Sequence, residues 1–164
     1  MRKLFFITLL LIGAVAINAQ IKGTNAIINV QTGLSIRPYN ADNSDGNKIV
    51  MYSSIEWKCL TWSFENVSGN VYALKNLFTN KTFAPVAPVK AGQTLEQVKY
   101  KPEDTAQQWE FIPVGDDKYR IRLKGSELYL TSTDSKSSNS ILFLDTQSDS
   151  DLQLWRLKKQ SPSM

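Results

Sequence analysis

A tryptophan followed two residues later by a large apolar residue occurs three times in this chain, at Trp62/Phe64, Trp109/Phe111 and Trp155/Leu157. The three tryptophans stand 47 and 46 residues apart, and self-similarity at a fixed period of roughly 20 to 50 residues marks a chain assembled from repeated units. More of each copy repeats than its indole. Tyr72 and Tyr119 each follow their tryptophan by ten residues, across the turn-forming segments Asn66-Val67-Ser68-Gly69-Asn70 and Pro113-Val114-Gly115-Asp116-Asp117. Some 16 or 17 residues before each tryptophan stands a turn residue (Gly46, Gly92, Asn139), followed by a short apolar run: Ile49 to Tyr52, Val98 to Tyr100 and Ile141 to Leu144. Each copy therefore reads as about four short strands.

Three such units make twelve strands over residues 26–158, and one unit alone cannot bury its apolar face, so the three must close around a shared axis. The expected fold is all-β, a β-trefoil of three four-stranded repeats with pseudo-threefold symmetry, the repeats spanning about 26–68, 69–115 and 116–158. The endings Gln107/Trp109 and Gln153/Trp155 make a Q-x-W pattern that resembles the ricin-type β-trefoil, a lectin-like family whose repeats close on this motif. The indole suits a core position and the glutamine amide suits bonds to nearby backbone. The first copy departs from the pattern, with Leu60 where the glutamine would be.

Ahead of the repeats, Arg2 and Lys3 precede an apolar run from Leu4 to Ile17, broken only by Thr8 and Gly13, and Ala19 offers a small residue before Gln20. This is the pattern of a secretory leader over residues 1–19, with cleavage after Ala19. The run is shorter than the roughly 20 apolar residues a membrane-spanning helix needs, so a secreted or periplasmic protein without a membrane span is expected. Residues 20–160 then form one domain, long enough to bury a core, and 161–164 a tail; everything past Lys159 is expected to fray. Without Arg2 and Lys3 the 19 basic and 15 acidic residues leave a net charge of about +2. The lysines are scattered among aspartates with no basic stripe, which argues against nucleic acid as a partner. Cys59 is the only cysteine, so no intramolecular disulfide forms; three residues before Trp62 it is expected to be buried and inert, in a monomer. The chain has no histidine, which removes the usual general base and the commonest metal ligand. No cofactor, no metal and no enzymatic activity are expected.

The resemblance also implies where a sugar would sit. In sugar-binding members a carboxylate accepts hydrogen bonds from two adjacent hydroxyls, and an aromatic face stacks on the C–H groups of the sugar ring. Matching Leu34-Ser35-Ile36-Arg37 to the family's L-D-V-R places Ser35 at the aspartate, with Pro85 and Thr131 in the other copies, so all three have lost it. Tyr52 aligns with the stacking aromatic, where the second copy is expected to offer Lys101 and the third Leu144. The bland alternative for Tyr52 is a half-buried strand residue. Trp57 has no counterpart in the other copies, and loop packing and a contact surface are equally open for it. The loop from Asn40 to Asn47 fails as a calcium loop, since its alternate positions include Ala41 and its twelfth is Tyr52. Its Asn40, Asp42, Asp45 and Asn47 would supply the missing hydroxyl contacts if the loop folds toward Tyr52. The second copy is expected to carry no site, and Asp145, Asp149 and Asp151 in the third read as turn formers. The expected function is carbohydrate binding on the first copy, around Tyr52 and Trp57. The alternative is a protein-binding β-trefoil that has lost its sugar.

Overall fold

Threefold closure is visible in the backbone hydrogen bonds that join the copies. The computed structural model describes residues 20–163, so the expected leader lies outside the described residues. Its twelve strands are β1 (Thr24–Asn29), β2 (Leu34–Pro38), β3 (Ile49–Ser53) and β4 (Trp62–Ser68) in the first copy. The second contains β5 (Val71–Asn76), β6 (Thr82–Pro85), β7 (Leu95–Val98) and β8 (Gln108–Gly115). The third contains β9 (Lys118–Leu123), β10 (Leu128–Ser132), β11 (Leu142–Thr146) and β12 (Trp155–Lys159). Strands β1, β4, β5, β8, β9 and β12 pair antiparallel in that order, and β12 returns to β1, so the six form a closed barrel with no free edge. The hairpins β2–β3, β6–β7 and β10–β11 form the cap. The only helical turns among the described residues are four short 3₁₀ segments. None is long or apolar enough to cross a membrane.

The cap is cyclic. Gly46 of the first copy donates its N–H to Gln97 of the second at 2.8 Å, Gly92 of the second to Leu144 of the third at 2.7 Å, and Asn139 of the third to Met51 of the first at 2.7 Å. All three donors have left-handed backbones, φ +76°, +82° and +66°, which explains glycine twice and asparagine once at this turn. The second copy's strand is Leu95–Val98 rather than the expected run from Val98 to Tyr100, because Gly92 fixes where β7 begins.

The indoles of Trp62, Trp109 and Trp155 are wholly buried and share one core. Trp62 donates its Nε1–H to Ile36 O at 3.1 Å and Trp155 to Leu130 O at 3.0 Å. Trp109 has no such partner, and Phe83 packs between it and Trp62 with ring centroids 5.0 and 5.1 Å away. Phe64, Tyr72, Phe111 and Tyr119 fill the barrel's other end edge to face. The motif glutamines do the backbone work expected of them. Gln107 donates to Lys99 O and accepts from Lys101 N, and Gln153 does the same with Thr146 O and Ser148 N. The expectation of a frayed end past Lys159 is overturned at its first residue: Gln160 is buried, its backbone N–H reaches Thr24 O, and its side chain accepts from Thr61 Oγ1 at 2.7 Å.

Candidate functional site

The cyclic cap bonds fix which residues correspond, and they shift the alignment. Met51, Gln97 and Leu144 are equivalent, so the positions matching Tyr52 are Val98 and Asp145, not Lys101 and Leu144. Leu144 is buried core. Across the hairpins Met51 faces Ile36, Gln97 faces Phe83 and Leu144 faces Leu130, which makes Arg37 and Ala84 the counterparts of Thr131, in place of Ser35 and Pro85. The sequence match was off because it was anchored on an arginine; a one- or two-residue slip along a strand leaves the motif plausible but moves the face. In neither register does any copy carry a carboxylate at this position.

Tyr52, Arg37 and Ser35 project from the same side of the β2–β3 hairpin, since Ser35 lies opposite Tyr52 and Arg37 two residues further on. The Arg37 guanidinium lies 3.6 Å above the Tyr52 ring centroid. The Trp57 ring lies 6.3 Å from Tyr52 at an interplanar angle of 28°. One face of Tyr52 is thus covered from within the chain, which corrects the expectation of an open platform there. Arg37 is only 7% exposed, has no carboxylate within ion-pair range among the described residues, and donates from Nη2 to Asn139 Oδ1 at 3.1 Å. Its Nε is buried without a partner. The aromatic surface left open in this rim belongs to Trp57, 36% exposed. With Ala41, Lys58, Cys59 and the exposed Phe78 it lines an apolar hollow of about 320 Å³.

Cys59 is among the residues lining that hollow and is itself buried. Burial pushes its thiol above the usual range, against a smaller opposing effect of the Arg37 charge. A thiol that keeps its proton is a poor nucleophile, so the native protein is expected to react slowly with an aromatic disulfide reagent and at the free-cysteine rate once unfolded. Equal rates before and after denaturant would show the thiol to be open.

The polar loop of the first copy turns toward the second copy. Asn40 and Ala41 adopt left-handed backbones, φ +51° and +54°, which reverse the chain after Tyr39. Asp42 accepts from Ser44 N–H at 2.6 Å, and the Ser44 hydroxyl first, then this backbone bond, hold its carboxyl below the usual range. Asp45 pairs with Lys81 at 2.7 Å, and that lysine also lowers the Asp45 carboxyl. Gln97 Nε2 reaches the carbonyls of Asp42 and Ser44 at 3.1 and 2.8 Å. Asn47 donates from Nδ2 to the carbonyls of Tyr39 and Asp42, both at 3.0 Å. Asn40, Asp42, Asp45 and Asn47 therefore make no hydrogen bond to Tyr52 or Trp57, and the gathering expected around Tyr52 does not occur.

The second copy, expected to be without a site, has an open hollow of about 360 Å³ at the matching position, lined by Ala84, Glu96, Val98, Lys101 and Asp104 with Asp45 from the first copy's loop. Sequence reasoning missed Glu96, which lies directly across from Ala84; only the strand register reveals it. In the third copy Asp149 pairs with Arg120 and Asp145 accepts from the N–H of Thr146, so these carboxylates act in separate turns. Among the described residues no group of three or more side chains is placed to hold a metal ion. A last groove, of about 570 Å³, runs over the cap between the first and third copies.

A family model described as ricin-type beta-trefoil lectin domain-like matches residues 58–155. Among solved structures, a designed threefold-symmetric protein, ThreeFoil, superposes with a TM-score of 0.78 at 22% identity, covering 83% of this chain and 98% of its own. The Rhizoctonia solani agglutinin gives 0.77 at 15% identity, covering 87% and 99%. The Macrolepiota procera ricin B-like lectin, solved in complex with lactose, gives 0.73 at 18% identity, again covering 87% and 99%. At these identities the likeness is one of fold. A search of curated proteins by sequence gave no match.

Proposed function

The chain belongs to the ricin-type β-trefoil lectin-domain-like family, and from that premise we propose that it is a secreted or periplasmic carbohydrate-binding module that takes sugar on the first-copy rim, against Trp57 backed by Tyr52. The observation that carries this reading is the Tyr52–Trp57 pair. Val98 and Asp145 stand where Tyr52 does, so the first rim alone offers an aromatic at the family's stacking position, and the stacked Tyr52 holds the Trp57 indole in place. A platform already ordered loses little entropy on binding. Sugar hydroxyls would be met there by donors, the Arg37 guanidinium and the Lys58 ammonium, in place of the family's carboxylate. The leader reading belongs to the same proposal: exported protein should begin at Gln20, and a retained residue 1–19 segment in N-terminal sequencing would overturn it.

The test is glycan-array binding of the mature protein, displayed multivalently because single sites of this kind are weak. Trp57→Ala should lower binding at least tenfold with a nearly unchanged melting temperature, as an exposed ring contributes little to folding. Tyr52→Ala should also lose binding but cost about 1–2 kcal/mol of stability, because it removes the ring beneath Arg37. Lys101→Ala should change neither. Binding that survives the Tyr52/Trp57 double replacement removes the rim. A second reading has its own observation: the hollow beside Trp57 is lined by apolar surface and includes Phe78, 52% exposed, which suits an apolar side chain of a protein partner. A parent protein that binds no glycan gives that reading precedence.

A further inference from the structure

Buried positive charge stands on the first-copy rim with nothing in the chain to balance it. Arg37 is almost wholly buried, and no carboxylate among the described residues lies within ion-pair range of it. One of its donors is used, Nη2 on Asn139 Oδ1. Nη1 makes no hydrogen bond within the chain, and Nε is shut off from solvent without a partner. The hydroxyls of Ser35, opposite Tyr52 on the same hairpin, and of Ser54, just past β3, are buried and unpartnered as well. Lys58 lines the hollow beside Trp57, and it too has no acid in ion-pair range. The nearby acids are engaged elsewhere: Glu56 accepts from Ser161 N–H, Asp42 from Ser44 N–H, and Asp45 pairs with Lys81. Tyr52 gives the guanidinium a ring face at 3.6 Å, a weaker contact than a counter-charge. Arginine stays ionised at any physiological pH, and a buried ion without its counter-ion is strongly unfavourable. An anion brought by a ligand supplies what is missing.

We infer that the rim selects saccharides that carry an oxyanion, a carboxylate or a sulfate, with the charged group on Arg37 and Lys58 and the sugar ring on Trp57. The inference rests on the carbohydrate-binding reading and names the class of sugar. Placement favours it: Arg37 and Trp57 flank Tyr52, 3.6 and 6.3 Å from its ring centroid, and Cys59, in the wall of the Trp57 hollow, feels the Arg37 charge. A neutral sugar presents hydroxyls, and a carboxylate receives two of them at once as an acceptor. The first copy has a guanidinium at that place, with donors and no acceptor, and the other copies have Ala84 and Thr131. Hydrogen bonds from a guanidinium to a carboxylate or sulfate are stronger than those to a hydroxyl, and the low dielectric of a buried setting strengthens the pairing further. Arg37 is therefore the specificity-determining residue, and a cation where the family has a carboxylate reverses the charge of the ligand that the position accepts.

Matched pairs separate charge from sugar: glucuronate with glucose, and galactose 6-sulfate with galactose, titrated into the mature protein while the Trp57 indole and Arg37 guanidinium resonances are followed. At least one acidic member should move both groups saturably, at a concentration at least tenfold below that of its neutral partner, and added salt should narrow the gap. Inorganic sulfate, which lacks the ring, should bind at least tenfold more weakly than galactose 6-sulfate. Arg37→Gln keeps a side-chain donor and removes the charge, so it should bring the ratio of acidic to neutral affinity to about one. Lys58→Gln leaves the Asn139 bond and the Tyr52 contact in place and should at least halve that ratio, which keeps the inference testable if Arg37→Gln does not fold. Equal responses of Trp57 to acidic and neutral sugars would overturn the inference and leave the rim reading standing. Sulfate alone binding as tightly as the sulfated sugar would overturn it too, as an ion site in which the ring has no part. No response of Trp57 to any sugar removes the rim reading itself, and this inference with it.

Discussion

Replacing Trp62 with alanine should cost about 3–5 kcal/mol in urea unfolding, the range for removing a large buried aromatic. Domains of this kind are stable by only about 5–15 kcal/mol in total, so the variant should be partly unfolded at physiological temperature. The size of the effect follows from two losses. The indole is wholly buried against Phe83 and the shared core, and its removal also strips Ile36 O of a buried hydrogen-bond donor. Phenylalanine replacements separate the two. At Trp155 the change leaves the Leu130 carbonyl without its donor and adds about 1–3 kcal/mol to the cost of lost volume. At Trp109 it removes an N–H that is buried without a partner, so Trp109→Phe should be the mildest of the three. Equal costs at the three sites would mean that the indole bonds contribute nothing.

This asymmetry also shows which part of the fold could be read from the sequence. The indole spacing and the turn residues Gly46, Gly92 and Asn139 are local signals, and each reports a constraint that its own neighbourhood imposes: a bulky core ring, or a left-handed turn. Those constraints repeat wherever the unit repeats, so they located the barrel, the cap and the core. The partner of each turn residue lies in another copy, 51, 52 and 88 residues away, and no local pattern encodes it. Hence the equivalence of Met51, Gln97 and Leu144 had to come from the structure, and with it the correction from Ser35 and Pro85 to Arg37 and Ala84.

The site was less legible for the same reason. Tyr52 was found because it aligns with the family's stacking aromatic and Trp57 because an aromatic out of step with the repeat stands out, and the structure does bring their rings together. What surrounds them was hidden. Arg37 looks in sequence like a strand residue of the motif, and only packing shows it lying on Tyr52 and holding an asparagine of the third copy. The loop from Asn40 to Asn47 is polar enough to suit a sugar or a turn, and its direction is decided by Lys81 and Gln97, both in the second copy. Composition speaks to what a loop can bind; the neighbouring copy decides where it goes.

Ending the chain at Lys159 should lower stability by about 2–4 kcal/mol, whereas ending it at Gln160 should cost less than about 1 kcal/mol, by the usual net worth of a few hydrogen bonds against one exposed bond. In the second and third copies a motif glutamine ties down the loop ahead of the indole, through Lys99 and Lys101 or through Thr146 and Ser148. The first copy has Leu60 there and lacks that tie. Gln160, buried, enters the same region from the other end of the chain: its side-chain oxygen accepts from Thr61, next to Trp62, and its backbone N–H and carbonyl are both bound to Thr24 at the start of β1. Losing it removes four bonds, the fourth a long one from its Nε2 to Ile55 O, and a buried side chain, and it releases the edge where β12 closes the barrel on β1. Beyond it, among the described residues, the hydrogen bond at stake is that of Ser161 N–H to the Glu56 carboxylate, and an exposed bond of that kind contributes little. Gln160→Ala in the full-length chain should fall between the two truncations, since it keeps the backbone bonds to Thr24 and loses those of the side chain. If the chain ending at Lys159 unfolds at the same denaturant concentration as the full chain, Gln160 does not stand in for the missing glutamine and the first copy holds its loop by other means.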